Sequence, residues 1–82
     1  MSSSTTQTKA KQNSIEINND HYKVTVSEMT GSQLKELASI APANGLFLEA
    51  HGHDDDIPIR DDEVVQLKSG MKFYDVPAGN LG

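Results

Sequence analysis

Cysteine and tryptophan are absent from this 82-residue chain, which has only two phenylalanines and two tyrosines. Without cysteine there is no disulfide framework, no thiolate metal site and no thiol nucleophile. Apolar runs are no more than a few residues long, far short of the ~20 that a membrane-spanning helix needs. The opening stretch MSSSTTQTKAKQN has no apolar segment after Met1, so it does not read as a secretory signal. A cytoplasmic protein is the expectation. Gly-x-Ser-x-Gly and phosphate-cradling glycine loops are also missing. The chain length allows one small core that needs nearly all of its apolar side chains. We therefore expect no enzyme and no cofactor.

Basic charge is scarce and unevenly placed. Seven Lys and Arg face twelve Asp and Glu, for a net charge of −5. The first thirteen residues carry Lys9 and Lys11 with no acid, so residues 14–82 hold all twelve acids against five bases, a net of −7. Such a surface repels a phosphate backbone and disfavours nucleic acid. It points instead to protein partners that present basic patches.

Residues 1–13 have too little apolar surface to offset the entropy of ordering and read as a disordered leader. From Ser14 the pattern alternates. Ile15 and Ile17 share one face, Asn18-Asn19-Asp20-His21 forms a polar turn, and Tyr22, Val24 and Val26 alternate with polar residues, as in a β-hairpin with one buried face. Thr30-Gly31-Ser32-Gln33 has the form of a capping box, with Met29 and Leu34 placed as a hydrophobic staple. A helix of about three turns should follow, its inner face formed by Leu34, Leu37, Ala38 and Ala41, until Pro42 ends it.

Leu46 to Ala50 reads as a strand with Leu46 and Leu48 inward and Phe47 outward. His51 to Asp56 is a polar loop. Ile57-Pro58-Ile59 suits an edge, where proline's missing donor faces solvent. Val64, Val65 and Leu67 form a short strand or turn, and Met71 to Val76 form the last strand, ended by Pro77. This order is α+β, one helix packed across one face of a mixed four- to five-stranded sheet. The domain spans 14–77 and a flexible tail 78–82.

The hairpin IEINNDHYKVTVSE, the helix start MTGSQLKEL, the strand LFLEA, the acidic IPIRDDEVVQLKSG, the strand MKFYDVP and the final Gly82 together resemble ubiquitin-like β-grasp proteins, specifically the bacterial multiubiquitin group. The resemblance covers residues 14–82. It implies a β-grasp fold and conjugation through a C-terminal glycine, with an activating enzyme, a conjugating enzyme, a zinc-dependent deconjugating peptidase and target proteins as partners. It also implies a bacterial setting in antiviral defence. The tail reads Asn80-Leu81-Gly82 where ubiquitin has a double glycine, yet one terminal glycine still satisfies the chemistry.

Gly82 is accordingly the expected conjugation residue, with Gly79, Asn80 and Leu81 as the segment a narrow enzymatic cleft would recognise. Phe47 and Tyr74 should lie on adjacent strands facing away from the helix and form, with Lys72, a patch for partners. His51, His53 and Asp54 to Asp56 have ligand chemistry without ligand spacing and read as solvated loop, as does His21. Lys9 and Lys11, in the expected flexible leader, are the expected acceptors for any self-conjugation. Two other functions use the same residues. One is a non-covalent docking module, and the other is a sulfur carrier with a C-terminal thiocarboxylate, against which the missing double glycine weighs.

Overall fold

The computed structural model describes residues 12–80. Strands β1 (Asn13–Ile17) and β2 (Asp20–Val24) form an antiparallel hairpin with Ile15 opposite Tyr22 and Ile17 opposite Asp20. Asn13, assigned above to the leader, opens β1, and its side-chain amide donates to the Leu67 carbonyl at 3.2 Å. The turn is two residues shorter than the sequence suggests. Asn18 and Asn19 alone reverse the chain, with φ of 54° and 72°, the paired positive values of a type I′ hairpin turn, which asparagine tolerates. Val26 lies beyond β2 and is 49% exposed, so the alternation through it does not extend the strand.

Strand β3 (Glu28–Thr30) leads into helix α1 (Gly31–Leu37). The capping box forms: Thr30 Oγ1 accepts from the Gln33 N–H, and Gln33 Oε1 accepts from the Thr30 N–H. Two further N-terminal donors are satisfied from outside the helix, Gly31 N–H by the Glu63 carbonyl and Ser32 N–H by that of Asp61. This accounts for groups that a helix start otherwise leaves unpaired.

The helix is shorter than its periodicity predicts. Ser39 adopts φ 58°, Ser39 N–H donates to Glu36 and Ile40 N–H to Lys35. That is the Schellman pattern, and it closes the helix three residues before Pro42. The buried face shifts accordingly. Gly31, Leu34 and Lys35 point inward, whereas Leu37 is 37% exposed and Ala41 is exposed. Lys35 buries its stem and sends its ammonium to Asp61 Oδ1 at 2.7 Å and the Pro42 carbonyl at 3.0 Å, so the buried charge is paired.

Strands β4 (Gly45–Leu48), β5 (Ile57–Ile59), β6 (Val64–Gln66) and β7 (Lys72–Val76) complete the domain. The main sheet has the order β2-β1-β7-β4-β5, and β3 pairs with β6 in a separate two-stranded ribbon. The β1–β7 pair is parallel and the others antiparallel, so the sheet is mixed, with the last strand at its centre. Pro58 sits on the β5 edge opposite Phe47, where its lost donor interrupts no ladder. Ile15, Ile17, Leu34 and Leu46 are almost fully excluded from solvent and pack with Val24, Ile59, Val65, Leu67 and Phe73. Each such side chain contributes about 1.5–3 kcal/mol. Among the described residues no helix is long and apolar enough to cross a membrane.

Candidate functional site

Two regions carry the sequence-predicted residues: the sheet face opposite the helix, and the place where the chain leaves β7. On the outer face, register sets Phe47 opposite Tyr74 and Pro58 beyond Phe47. The Phe47 and Tyr74 rings stack with centroids 5.5 Å apart and planes 12° from parallel. Their stacking is a cross-strand contact of the kind that stabilises a sheet by about 0.5–1.5 kcal/mol beyond area burial. Both rings remain half-buried, and Lys72 on the same face is exposed. In register, Lys72 has Glu16 beside it on β1, and the Glu49 N–H donates to the Lys72 carbonyl on the β4 side. The three patch residues named above thus share one surface. Lys72 also borders a groove of about 640 Å³, lined in part by Leu48, Ala50, Ile57 and Met71, at the end of the sheet away from the tail.

Asp56, read above as solvated loop, belongs to this surface. Its carboxylate accepts from the Ala50 N–H at 2.9 Å and from the Tyr74 hydroxyl. It therefore closes the 50–56 loop and ties that loop to β7. The Ala50 N–H first, and the Tyr74 hydroxyl second, hold the Asp56 carboxyl below the usual carboxylate range. The same hydrogen bond is the main reason that the Tyr74 phenol lies above its ordinary value, with burial and the charges of Asp56 and Glu49 adding to it. Composition alone marks this acid only as one of a run. Its position one residue before an apolar edge strand is the sole local hint. Among the described residues no cluster of three or more His, Asp or Glu could hold a metal ion.

At the other region the chain passes Pro77 into a single 3₁₀ turn, Ala78–Asn80. The segment expected to be flexible from residue 78 is thus locally ordered at its start. The Ala78 N–H donates to Asn44 Oδ1 at 3.1 Å, and Asn44 Nδ2 donates to Asp75 Oδ2 at 2.8 Å. Gly79 is exposed, and a side chain added there would meet nothing within 4 Å. Leu81 and Gly82 lie outside the described residues, as do Lys9, Lys11 and the leader up to residue 11. Asparagine before glycine, as at Asn44-Gly45, signals a turn and gives no hint of Asp75 and Ala78, 31 and 34 residues away.

A hairpin, a capped helix, two further antiparallel strands and a returning central strand parallel to the first define a ubiquitin-like β-grasp domain. The Multiubiquitin family model matches residues 14–76. The chain belongs to the multiubiquitin family. Comparison with curated proteins and comparison with solved structures each gave no match.

Proposed function

We propose that this ubiquitin-like protein is a protein modifier, transferred through the Gly82 carboxyl to amines of target proteins. A bacterial activating enzyme and a conjugating enzyme would carry out the transfer, and a deconjugating peptidase would reverse it. Family membership supports the class. The observation that carries the reading further is the root of the tail: past the central strand, Pro77, Ala78 and Gly79 are exposed, and Gly79 has open space around it. Gly79, Asn80 and Leu81 are the stretch a narrow cleft would grip.

In this chemistry the carboxylate attacks the α-phosphate of ATP and pyrophosphate leaves. An enzyme thiolate then displaces AMP to give a thioester, and the target amine displaces the thiol to give an amide. The modifier supplies the carboxylate and a slender approach; the thiolate belongs to the enzymes, since this chain has no cysteine. The setting we propose is cytoplasmic, in antiviral defence. Incubation with the activating enzyme and ATP, read by intact mass, should give an enzyme-linked adduct, and deletion of Gly82 should abolish it. Conjugation that survives that deletion would overturn the reading, and a thiocarboxylate product would identify a sulfur carrier instead.

The stacked pair on the outer face favours one second reading, a docking module recognised through Phe47, Tyr74 and Lys72 without covalent transfer. Aromatic anchors on an accessible surface commonly dominate such recognition. Partner binding unchanged by Phe47→Ala with Tyr74→Ala would reject it.

A further inference from the structure

Four segments meet around Asn44 and Asp75. Its Oδ1 accepts from the Ala78 N–H at 3.1 Å and its Nδ2 donates to Asp75 Oδ2 at 2.8 Å. The other oxygen of that carboxylate accepts from Asn18 Nδ2 at 2.7 Å, and Asn18 Oδ1 accepts from the Asp75 N–H at 3.2 Å. Asn44 is itself fixed by donating its N–H to the Ala41 carbonyl at 3.0 Å. The β1–β2 turn, the segment before β4, the end of β7 and the first residue of the 3₁₀ turn are thus bound into one network.

Each asparagine accepts through its amide oxygen and donates through its amide nitrogen, two separate atoms, which a carboxylate, having no donor, cannot do. Burial then ends abruptly. Asn44 and Asp75 are half-buried, whereas Ala78 and Gly79 are exposed. A tail whose only requirement was looseness would need no such anchor at its first residue.

We infer that Asn44 is a positioning residue, which sets the direction in which the tail leaves the sheet so that it meets an adenylating cleft already aimed. The inference rests on the conjugation reading above. A segment fixed at its root has less freedom to lose on insertion, and the benefit falls on binding rather than on the chemical step.

The test uses the full chain with the adenylating enzyme that charges it, measuring KM and kcat for ATP-dependent thioester formation well below the melting temperature of every variant. Asn44→Asp sets a carboxylate against that of Asp75 and removes the donor; KM should rise about fivefold or more with kcat unchanged, the effect of losing one ordinary hydrogen bond. Asp75→Asn alone should act similarly, since one of the two acceptor oxygens becomes a donor that must face the amide nitrogen of Asn44 or of Asn18, and the network opens either way.

The double variant N44D/D75N exchanges the two groups and keeps the net charge. The carboxylate at position 44 then accepts from the Ala78 N–H and from the amide at position 75, whose oxygen still accepts from Asn18. KM should return to within about twofold of the original, a non-additivity expected only of directly coupled groups. Amide exchange at Ala78 should quicken in both single variants and slow again in the double variant. An unchanged KM in Asn44→Asp, or a double variant as impaired as the singles, overturns the inference while leaving the conjugation reading intact. A wild-type chain that no adenylating enzyme charges removes both.

Discussion

Replacing Gly31 by alanine tests the tightest contact in the fold. A Cβ at Gly31 would lie 2.2 Å from the Arg60 carbonyl oxygen, 2.9 Å from its carbon and 3.2 Å from Ile59 Cγ2, where ordinary contacts begin at 3.4 Å. The carbonyl must therefore retreat by more than ~1 Å, a displacement of the overpacking kind that costs about 1–3 kcal/mol. Retreat of residues 60–63 also strains the bonds from Gly31 N–H to Glu63 and from Ser32 N–H to Asp61, each worth about 1 kcal/mol. Opposing this, alanine is favoured over glycine within a helix by at most ~1 kcal/mol. The net is a loss of about 3 kcal/mol, a large share of the roughly 3–10 kcal/mol expected for a domain of this length. Urea unfolding followed by circular dichroism should show a lower midpoint with an unchanged slope, and the melting temperature should fall by roughly 12 °C or more. Gly79→Ala, with open space around it, should leave both unaltered. A Gly31→Ala chain as stable as the original would mean that helix propensity outweighs the contact and that the helix does not seat against the Arg60 carbonyl.

Two other expectations concern charge. Asp56 titrates below the usual range and Tyr74 above it. A carboxyl depressed on folding contributes stability that is complete above its unfolded value of about 4 and is lost as pH falls through the native one. A phenol raised on folding contributes below about 10, and that contribution is lost as pH rises through the native value. Asp56→Asn should lower the Tyr74 titration seen by ultraviolet absorbance, and an unmoved Tyr74 would show that the two are not bonded in solution. For the buried ammonium, Asp61→Ala leaves Lys35 with the Pro42 carbonyl alone and should cost about 1–2 kcal/mol, since the side chain of Asp61 is 60% exposed against 8% for that of Lys35. Lys35→Met, which fills similar volume without needing a partner, should cost less; the opposite ranking in urea midpoints would refute the pairing.

The order of elements was legible because each boundary carries its own local chemistry. Thr30 and Gln33 cap the helix as their spacing implies, Ile15 and Ile17 alternate into the core, and Pro58 marks an edge. Helix length was not legible, because Ser39 takes a left-handed conformation more common in glycine or asparagine. Ending there exposes Leu37 and leaves the inward position to Lys35, whose burial depends on Asp61, twenty-six residues further on. On the outer face, alternation put Phe47 and Tyr74 on one side, and the β-grasp resemblance made their strands neighbours. Asn44 and Asp56 escaped notice because a polar loop residue declares its partner only through distance: Ala78 is thirty-four residues from Asn44 and Tyr74 eighteen from Asp56.

The parallel pairing of β1 with β7 has a temporal consequence. The β1–β2 hairpin and the β4–β5 hairpin are neighbours only through the strand between them, and that strand is the last of the described strands to emerge during synthesis. Until Lys72 to Val76 clears the ribosome the two hairpins have no strand to join them, and an isolated hairpin is marginally stable at best; a protease that removes this stretch splits the main sheet into two halves. Cleavage on the C-terminal side that spares the domain must therefore fall beyond Val76.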